Sequence, residues 1–116
     1  MTSTTRLAAR RYQRIISRLV TRLQRRYDPD RIILFGSAAR GDMGPDSDID
    51  LLIIKETDRR PLERMREVYA AAYSPRGYLA LDPLVLTPAE LALRIQDGDP
   101  FVRDILREGR LLYERL

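Results

Sequence analysis

Two short apolar runs constrain this chain more than any other feature. Arg31-Ile32-Ile33-Leu34-Phe35 is broken by Gly36-Ser37, and the second run, Asp48 to Ile54, carries two aspartates in an otherwise apolar stretch. Runs this short, bounded by turn residues, fit buried strands better than helices. A buried strand must be covered by other elements, so the rest of the chain has to supply them. Residues 6–27 do so as an amphipathic helix: Tyr12, Ile15, Ile16, Leu19, Val20, Leu23 and Tyr27 recur at three and four. Arg10, Arg14, Arg18, Arg22 and Arg25 or Arg26 line the other side, as a solvated face or as a landing surface for a partner. Asp28-Pro29-Asp30 stops that helix, because the residue before proline avoids the helical region.

The remaining elements alternate. A short helical turn is expected over 38–41, a loop over 43–47 and a strand over 48–54. A helix over 61–73 has Pro61 in its first turn, where a missing N–H costs nothing. Residues 74–77 form a turn, and 78–86 a third strand. Thr87-Pro88-Ala89-Glu90 opens a helix with a capping box, and 100–108 is the last helix. Gly109 ends it, and 110–114 forms a small edge strand. The pattern is α/β: a single small mixed sheet with helices packed on it, in one domain spanning 1–116. Within it, 1–27 is the N-terminal helix, 31–86 the core that carries the chemistry, and 87–116 the C-terminal helices and edge strand.

Composition narrows the chemistry sharply. The 116 residues include no cysteine and no histidine, which removes disulfides, thiolate nucleophiles, the serine–histidine triad and histidine-bound zinc. Catalysis must run on carboxylates, hydroxyls, arginines and bound cations. The net charge is +4, but residues 1–27 contain no acid, whereas eight acids fall within residues 28–58. Such an acidic centre repels nucleic acid unless a cation sits in it. The tyrosines are scattered without a base-stacking motif, so direct nucleic-acid binding is not expected. No apolar run approaches the roughly 20 residues that span a bilayer, so no membrane association is expected. The acid-free, Arg-, Ser- and Thr-rich start resembles a mitochondrial transit peptide, but its helical pattern runs on unbroken to Tyr27. A cytoplasmic protein is the expectation.

Asp48 and Asp50 are the first candidates for function. Two residues apart on a strand, they share a face at a separation of about 6.5 Å along the chain. Two like charges on an apolar strand repel and cost desolvation, unless a cation or proton compensates. Hard oxygen ligands suit Mg²⁺ or Mn²⁺. A turn cap followed by an exposed carboxylate would produce the same letters. An EF-hand loop would not, since Leu51 stands where that loop needs glycine and Thr57 where it needs glutamate. Gly36-Ser37, with Arg40-Gly41 beyond, could let a backbone approach a phosphate that the serine hydroxyl and Arg40 then hold, although most such pairs are ordinary turns.

Together, Leu34-Phe35-Gly36-Ser37-Ala38-Ala39-Arg40-Gly41 and Ser47-Asp48-Ile49-Asp50-Leu51-Leu52 make a Gly-Ser, ten-residue, Asp-x-Asp pattern. It resembles the nucleotidyltransferase superfamily typified by DNA polymerase beta, specifically its minimal nucleotidyltransferase (MNT) group. The resemblance implies a polymerase-beta-like fold with Asp48 and Asp50 as ligands of two Mg²⁺ ions (Mn²⁺ as a substitute). It places Gly36 and Ser37 at the triphosphate, with ATP as substrate, and Arg40 and Ser47 are the further candidates for binding the nucleotide and its phosphates. It also implies a third carboxylate on the next strand, as ligand and general base, and Asp82 is the only acid within 78–86. Pro83 follows it at once, so Asp82 must lie near a strand edge or end, and an Asp-Pro turn would read the same way.

Members of the MNT group are commonly paired with helical HEPN toxins and act as antitoxins by moving AMP onto a toxin tyrosine. The core takes up nearly the whole sequence, which favours an acceptor that brings its own recognition surface. Transfer to a small molecule or RNA is the alternative, as is an antitoxin that neutralises its partner by binding alone.

Overall fold

The computed structural model describes residues 3–41, 48–75 and 80–116, with side chains from residue 10 onward. The elements, in order, are α1 (Ser3–Arg26), β1 (Arg31–Phe35), α2 (Gly36–Arg40), β2 (Ile49–Ile54), α3 (Pro61–Ala72), β3 (Leu81–Leu86), α4 (Pro88–Gln96), α5 (Pro100–Glu108) and β4 (Arg110–Glu114). The strands form one mixed sheet in the order β3-β2-β1-β4. β1 runs antiparallel to both β2 and β4, and β2 runs parallel to β3. The α/β expectation holds, including the edge strand over 110–114.

Both faces of the sheet are covered. Leu19 and Leu23 of α1 and Val68 and Ala71 of α3 pack on one face, against Ile32, Leu34, Ile49, Leu51 and Ile53. On the other face, Leu91 of α4 and Val102 and Ile105 of α5 pack against Ile33, Leu52, Ile54 and Leu86. Buried residues alternate between the two clusters along β2, which explains why its sequence is apolar on both sides. Thr87 and Glu90 form the capping box that the sequence predicts, with Thr87 Oγ1 accepting from the Glu90 N–H at 3.1 Å and Glu90 Oε1 from the Thr87 N–H at 2.8 Å.

Three expectations are corrected. The turn expected over 38–41 is a helix over 36–40, starting at Gly36 itself, because the φ of +71° at that glycine turns the chain directly out of β1. The strand expected from Asp48 starts at Ile49, where pairing with β3 begins. The arginine stripe of α1 is not uniformly solvated. Arg22 Nε donates to the Ala72 carbonyl at 3.0 Å, and Arg26 Nη1 to those of Tyr73 at 3.0 Å and Ala71 at 3.4 Å. These two side chains satisfy carbonyls that the end of α3 leaves without helical partners. The loop expected over 43–47 and the first residues of the strand expected over 78–86 lie outside the described residues.

β3 is an edge strand, which accommodates Pro83. The Ala80 and Leu86 carbonyls accept from β2-side amides, those of Ile49 and Lys55, so residues of that parity face inward. Pro83 therefore faces the open edge, where a missing N–H breaks no ladder. The outward carbonyls beside it are capped by α3: Tyr69 Oη donates to Leu81 O at 2.9 Å and Arg64 Nη1 to Val85 O at 3.2 Å. This covering protects the edge from pairing with another chain.

Candidate active site

Register across three strands builds the site. Phe35 at the end of β1 pairs with Asp50 of β2, and Asp50 pairs with Asp82 of β3. Directly opposed residues on neighbouring strands share a face at about 5 Å. The row lies at one end of the face that α4 and α5 cover further along, at Leu52, Ile54 and Leu86. Asp82 is exposed and Asp50 half-buried.

Electrostatics single out Asp50. Burial pushes its carboxyl above the ordinary carboxylate value; the facing Asp82 adds to this through its charge and a side-chain hydrogen bond, and Asp48 through its charge. Arg40 acts in the opposite sense. The carboxylates are thus crowded without full compensation, the state that a bound divalent cation relieves. The oxygen donors fit Mg²⁺ or Mn²⁺. Asp48 is exposed, just before β2, and among the described residues no three acidic side chains converge into a single ligand cluster. The structure therefore brings Asp50 and Asp82 together, with the charge of Asp48 acting on Asp50.

Gly36 closes the site from the β1 side. A Cβ built on it would lie 2.2 Å from Asp50 Oδ2, and its φ of +71° disfavours any side chain. This is the backbone approach that the Gly-Ser pair suggests, here made to a carboxylate. Ser37 is half-buried in α2, and Arg40 is exposed at its end. Ser47 lies outside the described residues. Beyond Gly36 a cleft of ≈ 280 Å³ opens between α2 and α5, walled by Ala39, Arg40, Phe35, Phe101 and Asp104. Phe35 and Phe101 meet edge-on in it, with ring centroids 5.9 Å apart. No sequence signal marks Phe101, because only the packing of α5 brings it beside β1.

A buried arginine was also illegible in the sequence. Arg64 of α3 is 6% exposed. Its Nη1 lies 2.6 Å from Glu90 Oε1, its Nη2 3.4 Å from Glu90 Oε2, and its Nε donates to Arg59 O at 2.7 Å. Those bonds, with the one to Val85 O, tie α3, β3 and α4 together and fix the strand that carries Asp82.

Among the described residues, no helix is long and apolar enough to cross a membrane. Residues 16–112 match the family model of the nucleotidyltransferase domain. Three relatives from Methanocaldococcus jannaschii each carry the name "putative protein adenylyltransferase". One is 33% identical over 72% of this chain and 58% of its own length. A second is 37% identical over 48% of this chain and 58% of its own length. The third is 34% identical over 72% of this chain and 77% of its own length. The chain thus spans less than two thirds of two of these relatives. A crystal structure from Sulfolobus solfataricus, described as a "putative nucleotidyltransferase", superposes with a TM-score of 0.67 at 21% identity, over 99% of this chain and 91% of that one. At that identity the likeness shows the fold alone. The Gly-Ser and Asp-x-Asp motifs fall within the matched span, and the chain belongs to the nucleotidyltransferase-domain family.

Proposed function

We propose that this chain is a metal-dependent nucleotidyltransferase that moves AMP from ATP to a tyrosine hydroxyl of a separate protein. The observation that carries the proposal is the Asp50–Asp82 pair, held face to face beside Gly36. Asp48, Asp50 and Asp82 would hold two Mg²⁺ ions, which supply positive charge to the entering and leaving oxygens of a phosphoryl transfer. Gly36, Ser37, Arg40 and Ser47 bind the triphosphate and set its α-phosphorus before the acceptor. The acceptor oxygen bonds to that phosphorus, the bond to the β-phosphate breaks, and pyrophosphate leaves. Asp82, the more exposed of the facing pair, takes the hydroxyl proton and passes it to water. Positioning of this kind supplies most of the rate in phosphoryl transfer.

The names of the three relatives support a protein acceptor. The family resemblance supports a HEPN-class toxin as that acceptor, with this chain as its antitoxin. Incubation of the chain with Mg²⁺-ATP and a HEPN-class partner, followed by intact-mass measurement, tests the reading. An added AMP on a partner tyrosine is the expected result. Modification of an RNA end or of a small hydroxyl compound in place of the protein would overturn the acceptor class. Neutralisation of the partner without any added mass would overturn the transfer itself.

A further inference from the structure

α1 is much longer than the sheet it covers. Its 24 residues extend over about 36 Å at 1.5 Å per residue, whereas the five residues of β1 extend over about 17 Å. Its anchoring residues among those described cluster toward the C-terminus: Leu19 and Leu23 are fully buried, and Tyr12, Ile15 and Ile16 are half-buried. A groove places Gln13, Ile16, Ser17 and Val20 beside Leu34, near the end of β1. The helix therefore runs antiparallel to β1, and its N-terminal half passes beyond Phe35 and Gly36. That is the end of the sheet where Asp50 and Asp82 lie.

The overhang is strongly cationic. Arg10, Arg11, Arg14 and Arg18 are all exposed, and α1 contains no acid to compensate them. Arginines four apart on a helix repel, so 10, 14 and 18 form a row that an opposing anionic surface would stabilise. Arg22 and Arg26, which cap α3, belong to the body of the fold, whereas these four do not.

We infer that the exposed arginine row Arg10–Arg14–Arg18 on the overhanging half of α1 is the docking arm for the acceptor protein, and that it recognises an acidic surface on it. The inference rests on the reading of the chain as a protein nucleotidyltransferase. α1 packs on the face of the sheet opposite to the one that carries Asp50 and Asp82, so a partner held on this arm meets the catalytic carboxylates by reaching around the open end of the sheet. A folded protein satisfies both surfaces with separate patches: acids against the arm and an uncharged hydroxyl-bearing segment against Asp82. A nucleic acid carries phosphates throughout, and the carboxylates Asp48, Asp50 and Asp82 repel it there.

Fluorescent polyglutamate and a single-stranded RNA of equal charge serve as probes against the full chain. The triple variant R10E/R14E/R18E is compared with R60E/R66E/R103E, which changes the net charge equally at exposed arginines elsewhere. Polyglutamate affinity should fall about tenfold or more in the first and much less in the second, with a steep salt dependence in the wild type. Equal losses in the two variants, no binding by the wild type, or tighter binding of the RNA would overturn the inference. The melting shift produced by Mg²⁺-ATP should persist in R10E/R14E/R18E, which shows the fold intact. Absence of that shift from the wild type would instead overturn the nucleotidyltransferase reading, while the probe comparison still decides the arm.

Discussion

β3 and the elements beside it hold two pairs of charged groups that are built in opposite ways. At its start, Asp82 faces Asp50, like against like, and the Asp50 carboxyl is pushed up by burial and by its neighbour. At its end, Arg64 meets Glu90, opposite against opposite. The Glu90 carboxyl is held below its ordinary value by the Arg64 hydrogen bond and the Thr87 backbone bond. Each guanidinium nitrogen of Arg64 finds an acceptor within the fold. The first pair leaves charge for something else to neutralise, and the second neutralises itself. The second pair ties three elements of the fold together, and the first is the one that the proposed transfer uses.

Activity should separate the two pairs most widely. Asp50→Asn should abolish transfer, and Asp82→Asn should lower it at least about 10²-fold, close to 3 kcal/mol of barrier. Nucleotide binding should survive better in Asp82→Asn, because Asp48 and Asp50 remain. Rates of AMP incorporation measured beside nucleotide affinity check this, and full activity in Asp82→Asn would leave it as the turn residue that Pro83 suggests.

Arg64→Ala should act on the other pair, destabilising the fold by about 2–4 kcal/mol in denaturant unfolding. It strands buried acceptors and removes the partner of Glu90, and the partial exposure of Glu90 keeps the cost below that of a fully buried pair. Gly36→Ala should follow at about 1–3 kcal/mol, from left-handed strain and the collision with Asp50. Unlike Arg64→Ala, it should also reduce nucleotide binding, since it displaces a site carboxylate. A melting curve and a nucleotide titration on each variant tell the two apart.

The smaller effects carry opposite signs. Glu90 has a depressed folded-state value, so its stabilisation is present above its ordinary value of 4.5 and is lost as pH falls through the depressed one. The gap in melting temperature between wild type and Glu90→Gln should be widest above about pH 5 and should close on acidification. Asp50→Asn should leave the metal-free protein as stable as wild type or slightly more so, because it relieves repulsion. Unfolding of that variant would move Asp50 from the chemical pair to the structural one.

The chemical pair was largely legible in the sequence and the structural one was not. Gly36, Ser37, Asp48 and Asp50 sit at fixed spacing on one strand–turn–strand segment, and local periodicity reads such segments well. Asp82 was legible only as an acid on the following strand; that it stands opposite Asp50 depends on the parallel register of β2 and β3, which no local pattern reveals. Thr87 and Glu90 announced themselves as a capping box, a local signal, but nothing local reveals that Glu90 also holds an arginine 26 residues away. Arg22 and Arg26 read as part of an outer arginine stripe and Arg64 carried no signal, because letters alone do not distinguish a solvated guanidinium from one that satisfies backbone carbonyls.

The central claim is that the Asp50–Asp82 end of the sheet binds a nucleoside triphosphate through divalent cations. Thermal unfolding of the full chain with ATP, in Mg²⁺ and in excess EDTA, tests it most directly. At 100 times the dissociation constant, ATP should add about 2.7 kcal/mol of stability in Mg²⁺ and little in EDTA, and Asp50→Asn should lose most of the gain. An equal shift in EDTA, or an undiminished shift in Asp50→Asn, would contradict the account.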